Sequence, residues 1–571
     1  MKGNDIRMKF KEFEYKRPSM DEVKSKLNNF LEEFKIADSF EKQDKIIEQI
    51  NALRNEIESM MTIATIRHTI DTNDSFYEKE QNFWDKSSPV YDGIVADYYK
   101  CLINSKFRVE LEEKWGKQLF TIAEFQISTI SDKVIEDLKE ENELSSKYTK
   151  LLASAKIMYK GEERNLSQMI PFTISKDRNV RKEASEKKYK FFEDNSKEFD
   201  DIYDKLVKVR TKIARKLGFN NFVELAYRRM LRSDYNADMV KNFRKQVRKV
   251  IVPVSEKLVE RQRKRLGLDE MKYYDLKYYF KSGNAKPHGD AEWMVKNAQK
   301  MYGELSKETK EFFDFMTENE LMDLVSKKGK GSGGYCTYIS KYSSPFIFSN
   351  FNGTSGDVNV LTHEAGHAFQ VFSSRNLNIP EYNFPTYEAA EIHSMSMEFF
   401  TWPWMKLFFE EEEEKYRFFH ISDALLFIPY GVSVDEFQHV VYENPDMTPE
   451  NRKKAWREIE KKYLPYIDYE DNEFLEDGGY WQQQRHIYES PFYYIDYTLA
   501  QLCAFQFWKK SLDNREEAWK DYLALCKLGG SMSFLNLVKS AKLVSPFEDG
   551  SIKSIVDPVE KWIDGVDDSK F

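Results

Sequence analysis

The pentapeptide His363-Glu364-Ala365-Gly366-His367 constrains the fold of this chain more than any other stretch. Leu361, Ala365, Ala368, Phe369 and Phe372 recur around it at helical spacing, and Gly356 and Asp357 make a fair helix start. On a helix, two histidines four residues apart project from one face and can grip one ion. Glu364, one position past the first histidine, can then reach a water on that ion without displacing it. Gly366 costs such a helix roughly 1 kcal/mol against alanine, which predicts that room is needed there.

A site of this kind needs a third ligand, expected from a carboxylate on a neighbouring helix, with a fourth position left to water. The segment PTYEAAEIHSMSMEFFTWP reads as that helix, with Pro385 suited to a first turn and Pro403 past the end. Glu391 lies 24 residues after His367, enough for one helix to finish and a second to return antiparallel. Glu398 falls two turns further along the same face, roughly 10 Å along the axis, so one ion cannot take both. It is better placed to hold the outer nitrogen of a ligand histidine. On spacing alone Glu388 rivals Glu391. His393 points away from Glu391 and reads as a packed or surface histidine.

The rest of the chain is mainly helical in pattern. Val23, Leu27, Phe30, Leu31 and Phe34 recur at helical spacing, and amphipathic stretches follow around Ile46–Ile66 and Ile122–Tyr148. Residues 155–174 predict a short hairpin turning at Gly161, and Asp177 opens one long helical region running to Gly218. Gly283, Pro287 and Gly289 mark a loop. Lys327–Asn352, which opens glycine-rich and continues with Tyr, Thr, Ile and Phe, is the clearest β segment, able to offer an edge to an extended peptide or simply to form a small sheet beside the site. The run Glu410–Glu414 reads as a solvated helix face.

Composition excludes several classes. The net charge of −9 argues against a broad nucleic-acid-binding surface. The four cysteines are widely spaced with no C-x-x-C pair, so neither a disulfide framework nor a cysteine-zinc site is expected. No apolar leader and no run of 18 apolar residues is present, which predicts no membrane span and a cytoplasmic location.

With HEAGH and E-I-H-S-M-S-M-E in view, the chain resembles the thimet-oligopeptidase and oligoendopeptidase F superfamily of zinc peptidases, nearest the bacterial oligoendopeptidase F and Pz-peptidase branch. DRNVR at 177–181, MLRSDYN at 230–236 and GSGGYCT at 331–337 extend the likeness over most of the chain. The resemblance implies one Zn²⁺ per chain on His363, His367 and Glu391, deciding the third ligand against Glu388. It implies a mainly α, two-lobed shell around a deep channel that admits short unstructured peptides, with a small β-sheet beside the zinc helices. Residues 1–185 would form the N-terminal helical lobe and 186–571 the catalytic lobe. His393 stands where the family pattern has a small residue.

A late cluster, RHIYESPFYYIDYTLAQ, gathers His486, Tyr488, Tyr493, Tyr494 and Tyr497. Tyr494 and Tyr497, at i and i+3, would present two phenols on one helix face, where O–H donors can steady a developing oxyanion. The family has a histidine followed by such tyrosines, which carries over to His486, Tyr494 and Tyr497, with Tyr493 the alternative to Tyr494. The expected activity is hydrolysis of internal bonds in short peptides, with Glu364 as general base. Two other readings stay open: a helical zinc carboxypeptidase, and a peptide-binding protein without catalysis. Oligomeric state is not legible.

Overall fold

A computed structural model describes residues 8–377 and 379–571, and among these helices dominate. Helix α1 (Met20–Ile36) starts at Ser19, whose hydroxyl accepts the Glu22 N–H, and buries Val23, Leu27, Leu31 and Phe34 on one stripe. It packs with α2 (Phe40–Ile70) and α3 (Ser75–Ile103). The expected stretch at 122–148 is two helices, Lys117–Ile127 and α4 (Ile135–Ala153), separated by a turn.

The hairpin forms, but it is shorter than the sequence suggests. Strands β1 (Ile157–Tyr159) and β2 (Glu162–Arg164) pair antiparallel around Lys160 and Gly161, both at positive φ as a tight two-residue turn demands. Beyond Asn165, which caps with Gln168 in a reciprocal box, the chain turns helical over Leu166–Thr173. The long helical region after Asp177 also divides, into α5 (Arg178–Asp194) and α6 (Ser196–Lys216). Asn195 ends the first by turning its amide onto the Phe191 carbonyl at 2.8 Å.

A three-stranded sheet follows. The central strand β5 (Ser344–Phe351) pairs in parallel with β3 (Met322–Val325) and antiparallel with β4 (Tyr335–Ile339). β5 is buried almost throughout, which is why SPFIFSNF reads as apolar without strict alternation. Helix α2 lies alongside β4 and the glycine-rich loop before it. The Gly331 N–H donates to the Thr69 carbonyl at 2.7 Å, and Thr69 Oγ1 lies 2.6 Å from Tyr335 Oη. Arg54 of α2, 4% exposed, reaches Glu381 at 2.7 Å, tying the N-terminal helices to the turn at Pro380–Tyr382.

From β5 the chain enters α7 (Ser355–Ser374), and the Asp357 carboxylate accepts the N–H groups of Asn352 and Gly353 to hold the turn. Helix α8 (Tyr387–Phe400) returns against α7, and the long α9 (Glu413–Glu443) follows, with Glu410, Glu411 and Glu414 exposed near its start. Short α10 (Arg485–Glu489) leads to α11 (Tyr494–Asp513), which covers the other side of α8 and packs on α9. The principal core runs without interruption from Phe10 to Ile563. No helix among the described residues is long and apolar enough to cross a membrane.

Candidate metal centre and its surroundings

Helices α7 and α8 touch closely enough to exclude a side chain between them. A Cβ on Gly366 would lie 2.6 Å from Ser394 Cα and 2.7 Å from the His393 carbonyl oxygen. This contact brings the α8 carboxylate to the α7 histidines. Nε2 of His363 and Nε2 of His367 each lie 3.2 Å from Glu391 Oε2. Among the described residues, these three form the one group of histidine, cysteine or acidic side chains whose ligand atoms converge, all within 4.8 Å of one another.

The electrostatics fit a cation. Burial disfavours charge on His363, yet hydrogen bonds to Glu391 and Glu398 outweigh it and raise its pKa well above the usual range. The negative field that retains a proton there would equally retain a metal ion. Glu391, 1% exposed, is held well below the normal carboxylate range because His367 and His363 overcome the effect of burial. Ser394 Oγ donates to its Oε2 at 2.8 Å, and the Tyr493 hydroxyl donates to its Oε1. Two imidazoles and a carboxylate on neighbouring helices match the donor set of a catalytic zinc site.

Glu398 lies where the sequence reading put it, its Oε1 2.8 Å from His363 Nδ1. Its other oxygen meets a residue that reading overlooked: His420 of α9, whose Nε2 is 2.6 Å away. Trp402 Nε1 in turn donates to His420 Nδ1 at 3.1 Å. Glu388 is fully buried with neither oxygen hydrogen-bonded, and burial, opposed by Arg232, pushes its carboxyl to about 7. It stands outside the converging group. His393 is packed, 0% exposed, with burial driving its pKa to about 3, and its carbonyl accepts the Tyr522 hydroxyl at 2.8 Å.

Glu364 is buried beside the cluster, its Oε2 without a partner and its pKa raised by that burial against the pull of His363 and His367. The glycine-rich loop makes the space: a Cβ on Gly334 would come 3.4 Å from Glu364 Oε1. Arg485 holds the same loop, its Nη1 donating to the Ser332 carbonyl at 2.8 Å.

The next residue, His486, faces Tyr497, with Nε2 and Oη 3.1 Å apart, and Gln484 Nε2 lies 2.9 Å from its Nδ1. Burial first, then Arg485, lowers the His486 pKa to about 3, against the opposing charge of Glu391. The ring of Tyr493 stacks on that of Tyr497 at 5.0 Å between centroids. Tyr494 lies 5.0 Å from the His486 ring and 5.4 Å from that of Tyr497, and packs also against Phe427 and Tyr430, at 5.6 and 5.7 Å. Tyr493 is thus the phenol that touches Glu391. Tyr488 belongs to the core, stacked 3.8 Å from Tyr148.

Distant residues hold this arrangement. Arg210 of α6, 0% exposed, donates to the carbonyls of Ile487 and Tyr488 and to Glu141. Phe492 adopts a left-handed φ of 67°, costly for a bulky residue. Its carbonyl accepts from Arg232 Nη2 at 2.6 Å and its N–H donates to Gln438 Oε1 at 2.8 Å. Arg232 also reaches Asp496 at 2.8 Å, so the MLRSDYN stretch pins the turn that launches α11. Arg178 and Arg181 of DRNVR both bind the buried Asp275.

A helical shell holding two histidines one turn apart and a carboxylate from the adjoining helix is the architecture of a metallopeptidase. Comparison with known sequences agrees. Residues 10–130 match the peptidase M3 N-terminal domain and residues 172–557 match peptidase family M3 itself. The chain belongs to peptidase family M3. A solved structure of Pz peptidase A with an inhibitor is 60% identical, with a TM-score of 0.98, over 98% of this chain and 100% of that one. A structure from Bacillus anthracis str. Ames assigned as an oligoendopeptidase F is 58% identical, with a TM-score of 0.93, over 99% of each chain. An oligoendopeptidase F homolog of Lactococcus lactis subsp. lactis (strain IL1403) is 23% identical, over 89% of this chain and 86% of its own.

Proposed function

We propose that this chain is a zinc-dependent endopeptidase that hydrolyses internal bonds of short unstructured peptides, with residues 1–185 and 186–571 as its two lobes. The observation that carries the reading is the buried, unpartnered Oε2 of Glu364 beside three converging ligand atoms. An unpaired buried carboxylate oxygen is costly, and at this position it stands free to take a proton.

His363, His367 and Glu391 would hold one Zn²⁺, whose chemistry there is to polarise the scissile carbonyl and to bring a water's pKa down toward about 7. Glu364 takes the proton from the attacking water and passes it to the leaving amine. Burial, which raises its pKa, makes it the stronger base. Negative charge developing on the carbonyl oxygen is met by O–H and N–H donors from Tyr497 and His486. The second phenol we assign is Tyr493 rather than Tyr494, because Tyr493 is the one in contact with Glu391. The chain's likeness to proteins named oligoendopeptidase F supports the preference for short peptides.

The test is digestion of an internally quenched peptide blocked at both ends, followed by mass spectrometry, with and without chelator. Internal cleavage that chelation abolishes and Zn²⁺ restores is expected, with folded proteins left intact. Cleavage confined to unblocked C-termini would point to a carboxypeptidase, and binding without cleavage to a non-catalytic receptor.

A further inference from the structure

His420 sits 22 residues beyond Glu398 on α9, 3% exposed, in a box of aromatic rings. Phe399, Tyr416 and Trp402 lie 4.9, 5.7 and 5.8 Å from it between centroids. A packed aromatic side chain would fill that volume equally well, but both ring nitrogens of His420 are engaged, and in a definite order.

An indole N–H can only donate. Because Trp402 Nε1 points at His420 Nδ1, that nitrogen carries no proton, so the proton of the neutral ring is on Nε2. Nε2–H therefore donates to Glu398 Oε2. The other carboxylate oxygen accepts from His363 Nδ1–H, which leaves Nε2 as the His363 nitrogen facing Glu391. The donor-only indole thus fixes the proton of His420 on Nε2, and Glu398, an acceptor on both oxygens, takes one N–H from each histidine. The opposite His420 tautomer would set a lone pair against a carboxylate oxygen, and Glu398 would be driven to rotate away from His363.

We infer that His420, oriented by Trp402, is a positioning residue that fixes the tautomer and aim of His363 through Glu398, and so sets the affinity of the centre for its metal. The inference rests on the reading of His363 as a ligand. It asks only that outer-shell partners govern ligand orientation, as such partners do in metal sites generally.

The experiment measures zinc affinity of the full chain by chelator competition after metal removal, together with the melting temperature of the metal-free protein. His420→Phe keeps an aromatic ring but removes the donor, and should weaken zinc binding by about 10- to 100-fold. His420→Gln keeps an N–H able to reach Glu398, and should recover most of that loss, a rescue that packing alone does not explain. Trp402→Phe should weaken zinc binding without touching Glu398. In a ¹⁵N-histidine spectrum it should also blur the fixed Nε2–H signature of His420. Wild-type zinc affinity in His420→Phe, or equal losses in the Phe and Gln variants, overturns the inference. If His420→Phe does not fold, Trp402→Phe decides by the same criterion. His363→Ala separates the two layers: wild-type affinity there overturns the ligand reading and this inference with it. Loss of zinc there beside wild-type affinity in His420→Phe overturns this inference alone.

Discussion

Replacing Gly366 by alanine sets two effects of opposite sign against each other. On an isolated helix the added methyl group stabilises by roughly 1 kcal/mol. In the folded protein it would lie 2.6 Å from Ser394 Cα, 2.7 Å from the His393 carbonyl oxygen and 3.0 Å from Met397 Cβ. Non-bonded carbons settle at about 3.5–4.0 Å, so α8 would have to retreat by about 1 Å. Two of the three obstacles are backbone atoms and cannot rotate aside. Overpacking of this kind costs about 1–3 kcal/mol, more than the helix gains. The retreat also acts at the metal centre, because Glu391 is three residues from Ser394 on α8 and bonded to its hydroxyl. Gly366→Ala is therefore expected to lower the melting temperature of the metal-free protein. It should also weaken zinc binding by at least about tenfold, the scale seen when ligand support is disturbed. Scanning calorimetry at a single scan rate and chelator competition give the two numbers. A variant that melts at or above the wild type with unchanged zinc affinity would refute the close-contact reasoning.

Other expectations follow from the same geometry. His363→Ala, His367→Ala and Glu391→Ala should each lose zinc severely on metal analysis, whereas Glu388→Ala should retain it. Glu364→Gln should keep its zinc and lose several orders of magnitude in kcat, measured with a quenched peptide. Tyr497→Phe and Tyr493→Phe should lower kcat by about a hundredfold, the effect of losing an oxyanion donor, with Tyr494→Phe milder and Tyr488→Phe altering the melting temperature instead. His486, neutral until about pH 3 when folded, binds a proton near 6.5 when unfolded. Stability should therefore fall as pH drops from about 6.5 toward 3, by at most about 1.4 kcal/mol per unit from this group. His486→Gln should flatten that slope in melting curves between pH 7 and 5.

The helical class and the convergence of His363, His367 and Glu391 were legible because both rest on local spacing. His363 and His367 are one helical turn apart, and α8 is bracketed by residues that start and stop helices. Glu398 was readable for the same reason. His420 was not, because nothing in the sequence says that α9 crosses behind α8; its tie to Glu398 is tertiary. Tyr493 and Tyr494 differ by one position, and their facing depends on the left-handed turn at Phe492, which no propensity favours at phenylalanine. The helical region expected from Asp177 to Gly218 forms as two helices, and its division at Asn195, whose amide bonds the Phe191 carbonyl, leaves no break in the apolar pattern to read. The parallel strand β3 lies outside the expected β segment because MDLV is too short to carry a periodic pattern of its own.

The pairing of α8 with α11 has a consequence for biosynthesis. Glu391 and the Tyr493 that touches it are 102 residues apart in the chain. A ribosome adding about 5–20 residues per second therefore takes roughly 5–20 seconds between them. During that interval α7 and α8 can meet, but the apolar side of α8 that α11 later covers stays open. The tyrosines and His486 are still being synthesised or threaded through the exit tunnel. A nascent chain at this stage holds the converging side chains of α7 and α8 without Tyr493, Tyr497 and His486 beside them. The same open face makes it a natural client for chaperones until α11 arrives.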